Sequence, residues 1–276
     1  MRFCVPSLLV HAMTQPNPII TLTTDFGLRD SYVAEMKGVL LSRCPNARLV
    51  DLSHEIAAQD ISEAAFFISN AALRFPSGSI HVVVVDPGVG TSRHAIALSM
   101  HGQYFVGPDN GVFGLLLAHA HHHVCHIIDA TRLGDTPPSA TFHGRDIFAP
   151  AAAFLGGGRE LHELGERLES PATLHWPEAR MHGPHAIAGE IVHIDHFGNA
   201  ITNVWARQIA ERTIHRVRLP NRDILGLVKT YGDVCAGESL AIIGSSDLLE
   251  IAVNGGRADT LLELRKGQPV TVEFAE

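Results

Sequence analysis

The chain has 276 residues, 46% of them apolar and 18% charged, with 25 glycines and four cysteines. That is enough apolar content for one large domain or two modest ones, and it excludes a disordered chain, a collagen-like chain and a small disulfide scaffold. Twenty-one Lys and Arg against 29 Asp and Glu give a net charge of −8 with no basic block, which argues against a general nucleic-acid binder.

Residues 1–18 read as a disordered leader. The apolar stretch there is short, is broken by Pro6 and lacks a convincing small-residue cleavage site, and Met13 could serve as the natural start. No run approaches the roughly 18 apolar residues a membrane span needs. Cys4, Cys44, Cys125 and Cys235 are scattered without a CxxC pair, as in a reducing compartment, so the expectation is a cytoplasmic protein.

From residue 19 the pattern alternates short β-rich runs with helical ones. Residues 19–23 predict a strand, followed by a helix capped near Asp30 or Ser31, with Val33, Met36, Leu40 and Cys44 on one face and Pro45 as its stop. Residues 48–52 predict the next strand. Asp60-x-x-Glu63 reads as an Asp version of the capping box, opening a helix that buries Ile61, Ala64, Ala65, Ile68 and Ala72. The nearly continuous apolar run at 80–85 suits a strand covered on both faces. Residues 95–99 and 103–106 form a hairpin pattern about His101-Gly102, a Leu-rich helix runs to about Ala118, and 124–128 is another buried strand. A short helix at 147–155 completes an α/β domain with a largely parallel sheet over residues 19–170. Prolines 171, 177 and 184 mark a linker over 171–185. Runs at 186–194, 216–219, 239–243, 248–253 and 270–274 then predict a smaller, mainly antiparallel β domain over 186–276.

In open α/β sheets ligands bind beyond the carboxyl ends of the strands. Three loops there place an acid beside a glycine: Thr24-Asp25-Phe26-Gly27, Asp86-Pro87-Gly88-Val89-Gly90 and Pro108-Asp109-Asn110-Gly111. A fourth, Asp195-His196-Phe197-Gly198-Asn199, follows the first strand of the second domain. One Asp-Gly is an ordinary turn; four at strand ends point to a site. They form no phosphate cradle, since GxxxxGK[ST] is absent and Gly88-Val89-Gly90 lacks the third glycine of a dinucleotide fingerprint. Carboxylates would suit ribose hydroxyls, an ammonium, a sulfonium or a divalent cation. His119, His121, His122, His123 and His126 are the densest cluster among 18 histidines, but no carboxylate or thiol completes a ligand set, so they read as surface histidines and no metal site is expected. His143, in Thr141-Phe142-His143-Gly144-Arg145-Asp146, could join Asp86 and Arg93 as a base, a carboxylate and an anion-orienting cation. No GxSxG or Cys-based nucleophile motif is present.

These motifs, in this order and with Gly244-Ser245-Ser246 and Leu249-Glu250-Ile251-Ala252-Val253-Asn254 following, resemble the S-adenosyl-L-methionine (SAM) hydroxide adenosyltransferases, relatives of the fluorinase and chlorinase, from about Ile19 to the C-terminus. The resemblance implies an α/β domain joined to a smaller β domain, homotrimers with SAM sites at subunit interfaces, and hydrolysis of SAM to adenosine and methionine without a cofactor. It implies a water-orienting triad of Asp86, Arg93 and His143, and Asp25 on the ribose hydroxyls with Asn110 helping to fix the ribose or adenine. Phe197 would stack on adenine, Asn199 bond it and the Asn254–Gly255 backbone read its edge, while Asp30, Asp195 and Ser245 hold the methionine end. The halogenases carry Tyr at the position of Asp86 and a Tyr-Ser pair at that of His143-Gly144. Ser246 stands where the fluorinase has Arg, and Gln59 where it has an aromatic lid residue. A halogenase, a SAM- or adenosine-binding sensor without turnover, and a divalent-metal phosphohydrolase are the alternatives.

Overall fold

Pro18 is buried, and its carbonyl accepts the amide of Arg48 at 2.9 Å, which ties the start of the first strand to the second. The computed structural model describes residues 17–134 and 137–275, so the expected leader lies outside the described residues except for its last two positions. The chain divides into two units, Met1–Leu174 and His175–Glu276.

Among the described residues the first unit is built on six strands: β1 (Ile19–Thr24), β2 (Arg48–Ser53), β3 (Ile80–Val84), β4 (Ala95–Met100), β5 (Gln103–Pro108) and β6 (His123–Ile127). They lie in the order β2-β1-β3-β5-β4-β6, and all but β4 run the same way, so the largely parallel sheet is present with one reversed strand. That strand forms the expected hairpin with β5. His101 (φ 54°) and Gly102 (φ 74°) are both left-handed at its tip, as a type I′ turn requires.

Among the described residues, four α-helices cover the sheet: α1 (Tyr32–Arg43), α2 (Ile61–Ala71), α3 (Gly114–His119) and α4 (Ala149–Gly156). Strand alternation supplies two cores. Val82 and Val84 join Ile20 and Leu22 against α1 and α4, with Met36, Leu40 and Phe148 fully buried. Val83 and Val85 face the other way, with Ile96, Leu98 and Phe105, against α2 and α3. Both faces are therefore dry, which is why β3 is apolar throughout.

Local signals are mostly obeyed, with three differences. Ser31 occupies the N-cap of α1, but its hydroxyl donates to Glu35 Oε1 at 2.7 Å instead of capping the backbone. Asp60 Oδ1 does accept from Glu63 N at 2.9 Å, while the Glu63 carboxylate accepts from Ala57 N at 3.2 Å, so the box closes on one side. The helix expected at 147–155 begins earlier, as a π-helical turn over Gly144–Phe148 that runs into α4.

The second unit is an antiparallel sheet of β7 (Arg180–Met181), β8 (Ala186–Ile194), β9 (Ala200–Trp205), β10 (Ile214–Arg218), β11 (Asp223–Leu225), β12 (Ser239–Ile243), β13 (Leu248–Val253) and β14 (Pro269–Phe274). The order is β11-β10-β14-β8-β9-β13-β12, with β7 also on β8. Strand β8 pairs with β14 through its first half and β9 through its second, bending between. Gly189 permits the bend: a Cβ there would lie 2.5 Å from Asn203 Oδ1, which instead accepts from Glu190 N at 2.8 Å. The sheet curls until Val228 bridges Ile242, which brings its two edges together. Sequence patterning misses β7, β9 and β11. Strand β9 hides because Thr202 and Asn203 break its apolar run, and both are satisfied internally: Thr202 donates to Leu249 O at 2.9 Å and Asn203 to Pro177 O at 3.1 Å.

The half-closed box makes a stability prediction. Asp60→Ala should lower the unfolding free energy by about 0.5–2 kcal/mol, and Glu63→Ala by less, because Glu63 does not return to the cap amide. Urea denaturation of both variants checks the order, and a larger loss for Glu63→Ala would contradict it.

Candidate active site

Asp86 stands two residues past β3, at the mouth of the first unit's sheet. Two consecutive turns, Val89 N to Asp86 O at 3.1 Å and Thr91 N to Gly88 O at 3.2 Å, reverse the chain and bring Arg93 back over it. Arg93 Nε donates to Asp86 Oδ1 at 2.9 Å and Nη2 to Asp86 Oδ2, a bidentate pair. The two side chains are only 10% and 5% exposed. Gly90 (φ 75°) lets this loop lie against the segment before His143, since a Cβ there would sit 2.4 Å from Ala140 O. His143 leads into the π-helical turn, and its Nδ1 lies 2.7 Å from Arg93 Nη2.

That contact decides how the three groups act. A guanidinium only donates, so Nδ1 of His143 must present its lone pair, and the proton of the neutral ring sits on Nε2. Burial and then the Arg93 charge hold His143 below the ordinary histidine range, against the opposite pull of Asp86 and Asp146. His143 is therefore a neutral Nε2–H donor. Each Asp86 oxygen, having accepted one Arg93 proton, keeps a further lone pair.

The flanking loop is fixed separately. Arg145 donates to Asp146 Oδ1 at 2.6 Å and Oδ2 at 3.0 Å, reaches Glu35 Oε2 on α1 at 2.9 Å, and lies over the Phe142 ring at 4.9 Å. Asp146 is held below the usual carboxylate range by the Arg145 hydrogen bonds, and it also accepts from Ser139 N at 2.9 Å.

The other expected residues of this unit are braced around the mouth. Asp25 follows β1, and its Oδ2 accepts from Gln59 N at 2.8 Å, leaving Oδ1 available. Asn110 donates to Val85 O at 2.9 Å and accepts from Val112 N at 3.2 Å, so its side chain first of all holds the residue before Asp86. Asp30 lies exposed on the turn before α1.

In the second unit a cleft of about 850 Å³ is lined by Asp195, Phe197, Asn199, Ser245 and Gly255 of the expected set. Asp195 and Asn199 clamp one turn: Asn199 N donates to Asp195 Oδ1 at 2.8 Å and Asn199 Nδ2 to Oδ2 at 3.1 Å. Phe197, at the tip of that turn, is 70% exposed, a ring offered for stacking. Asn254 is absent from the lining: its side chain donates to Val234 O at 2.8 Å, its amide to Glu238 O at 3.0 Å, and its carbonyl accepts from Gly237 N at 2.8 Å. Of the Asn254–Gly255 pair only Gly255 reaches the cleft.

The cleft residues not singled out from the sequence include Tyr231, Glu250 and Arg257. Tyr231 donates to Glu250 Oε1 at 2.7 Å. Glu250 is 6% exposed; burial raises it above the usual carboxylate range, the Tyr231 bond opposes that, and Asp195 adds to it. Burial, followed by the Glu250 contact, pushes Tyr231 up to about 12. A lone carboxylate inside the buried run Leu-Leu-Glu-Ile-Ala-Val was the available signal. Of the histidine cluster, His126 is buried with Nδ1 2.9 Å from Gly165 O, and His119 Nδ1 lies 2.8 Å from Leu115 O. Among the described residues no group of three or more His, Cys, Asp or Glu is placed to hold a metal ion.

A family model for the SAM hydroxide adenosyltransferase N-terminal domain matches residues 20–165, and one for the C-terminal domain matches 189–271. The chain is 39% identical over 255 residues to an (R)-S-adenosyl-L-methionine hydrolase of Thermus thermophilus, covering 90% of this chain and 96% of that one. A more distant relative, a fluorinase of Actinoplanes, is 27% identical over 293 residues, covering 94% of this chain and 98% of its own. A crystal structure of an uncharacterized conserved protein from Thermotoga maritima superposes with a TM-score of 0.86 at 35% identity, covering 92% of this chain and 99% of that one.

The tautomer is measurable. Nitrogen NMR should find Nε2 of His143 protonated and Nδ1 bare at neutral pH, with titration below the ordinary histidine range. In Arg93→Gln that titration should move upward, because one of the two influences lowering it is gone. A proton on Nδ1 in the wild type contradicts the assignment.

Proposed function

Because the chain belongs to the SAM hydroxide adenosyltransferase family, we propose that it hydrolyses S-adenosyl-L-methionine to adenosine and L-methionine, with the attacking water held by Asp86, Arg93 and His143. The observation that carries this reading is the assembly of those three side chains into one hydrogen-bonded group with Arg93 at its centre.

The chemistry asks little of an acid. Water oxygen bonds to ribose C5′, the C5′–S bond breaks, and its electron pair neutralises the sulfonium, which leaves as the thioether of methionine. No leaving group needs a proton, so the paired carboxylates of a glycosidase are unnecessary. The water must be aligned with the C5′–S bond and must lose a proton. Alignment alone is worth on the order of 7–11 kcal/mol. His143 Nε2–H can donate to the water oxygen and orient it. Asp86, through its remaining lone pairs, accepts the proton, and the Arg93 guanidinium stabilises the developing hydroxide. His143 in this tautomer is the orienting donor and Asp86 the base.

A carboxylate at Asp86 also repels a halide, which weighs against the halogenase alternative. In this reading Asp25 and Asn110 take the ribose, Phe197, Asn199 and Gly255 the adenine, and Asp30, Asp195 and Ser245 the methionine end. SAM is the substrate and the reaction as written calls for no further cofactor. A homotrimer with sites at subunit interfaces and a cytoplasmic location complete the proposal; among the described residues no helix is long and apolar enough to cross a membrane.

Incubation with SAM, with and without chloride or EDTA, followed by chromatography of the nucleosides, tests it. Adenosine and methionine should form in equal amounts, insensitive to EDTA, with kcat lowered about 10²–10³-fold in His143→Ala and Arg93→Ala, the loss of a preorganised donor. The kcat/KM profile should be level through neutral pH and fall on the acid side, below the ordinary histidine range, where protonated Nδ1 would face the guanidinium. Halogenated adenosine, or SAM bound and unchanged, would overturn the reading.

A further inference from the structure

The loop that carries Asp25 is held by a buried histidine to which neither the family match nor the reaction above gives a task. Strands β1 and β2 run parallel in register from Ile19 opposite Arg48 to Leu22 opposite Asp51, and the next pair is Thr23 with Ser53. Leu52 is thus an extra residue, a bulge, and bulges re-aim the side chains that follow them. Continued by one position, the shifted register sets His54 beside Thr24, the last residue of β1, and the imidazole Nδ1 lies 2.9 Å from Thr24 Oγ1. His54 is 4% exposed.

The hydrogen bonds around it have one consistent polarity. Thr24 Oγ1 accepts from Phe26 N at 3.3 Å, so its own proton is free for His54 Nδ1. The imidazole proton then sits on Nε2, 3.1 Å from Asp51 Oδ1, so that a polar N–H lies beside the carboxylate although off the line of a good hydrogen bond. Asp51 in turn receives Lys37 Nζ at 2.6 Å. The backbone adds two stitches, Gly27 N to His54 O at 2.7 Å and Gln59 N to Asp25 Oδ2 at 2.8 Å. Gln59 is itself left-handed (φ 65°), a conformation uncommon for a residue with a side chain. Residues 54–59 therefore grip residues 24–27 at the side chain of Thr24, the amide of Gly27 and the carboxylate of Asp25. His54 supplies two of those three contacts.

We propose that His54 is a positioning residue for substrate binding: through Thr24 and Gly27 it fixes the loop that points the free oxygen of Asp25 at the ribose hydroxyls. This rests on the reading of Asp25 as the ribose contact. His54 touches no substrate in this account; it acts by removing the loop's freedom before the ligand arrives, so that binding does not have to order it.

The test is calorimetric binding of adenosine and of 2′,3′-dideoxyadenosine, which lacks the hydroxyls, to the full-length protein and four variants. The readout is the ratio of the two dissociation constants, which a general loss of stability leaves unchanged. The wild type should prefer adenosine by about tenfold or more, the weight of a hydrogen bond to a charged group. Asp25→Asn sets the ratio expected without the carboxylate. His54→Leu should fall towards it, and so should Thr24→Val, a near-isosteric change that keeps the measurement possible if His54→Leu does not fold. His54→Asn should keep most of the preference, because its side-chain oxygen can still accept the Thr24 hydroxyl. A wild-type ratio near one overturns the ribose reading of Asp25 and this proposal with it. A preference lost in Asp25→Asn but intact in His54→Leu or Thr24→Val overturns the role of His54 alone.

Discussion

A guanidinium held almost out of water between a carboxylate and an imidazole is the constraint on which the first unit turns. Arg93 cannot lose its charge, so it is tolerated in that position only while Asp86 accepts it through two hydrogen bonds. The pairing requires the chain to reverse twice within seven residues and Gly90 to pass close to Ala140. It also requires His143 to offer a lone pair, which sets that ring's tautomer and leaves its other nitrogen a donor. A lysine could not do the same work, because one point charge cannot bind both carboxylate oxygens in a fixed plane and also reach the ring.

The surrounding structure keeps those three groups from relaxing. Val83 and Val85 are buried against α2 and α3, which anchors the strand that delivers Asp86. Asn110 holds Val85 from the neighbouring loop, and Arg145 ties the His143 segment to α1 through Glu35. Each contact restrains the backbone one or two residues from Asp86 or His143. This is how a site built on loops acquires the precision of the sheet beneath it.

The second unit meets a different electrostatic problem. Glu250 is buried with one strong partner, Tyr231, and Asp195 lies near enough to raise it further. Asp195 and Glu250 thus place two acids in one cleft, whose lining also includes Arg257. Under the proposed reaction the substrate carries a sulfonium, an ammonium and a carboxylate, a net single positive charge, whereas adenosine is neutral and methionine a zwitterion. Under that reading the substrate is the one ligand of the three with a net positive charge, and Phe197, exposed in the cleft, offers a stacking face that charge does not affect.

Much of the architecture was legible in the chain because it rests on local physics. The apolar period of α1, the Asp60 cap, the His101-Gly102 reversal and the unbroken run of β3 each follow from contacts within a few residues or from how many faces an element buries. Strand β9 was not legible, because Thr202 and Asn203 look unsuited to a core until Leu249 and Pro177 appear as their partners. The same division holds for the site. Sequence motifs singled out Asp86, Arg93 and His143 as a group, and Asp25, Asp195 and Phe197 as ligand contacts. Only tertiary structure decided that Arg93 sits between the other two, that His143 must be an Nε2–H donor, that the Asn254 side chain is engaged by Val234, and that Tyr231 and Glu250 join the cleft and His54 the Asp25 loop. Those facts depend on pairs such as Arg93 with His143, 50 residues apart, and Thr24 with His54, 30 apart. A local pattern records what a residue can do; which partner it meets is set by the register and packing of the whole sheet.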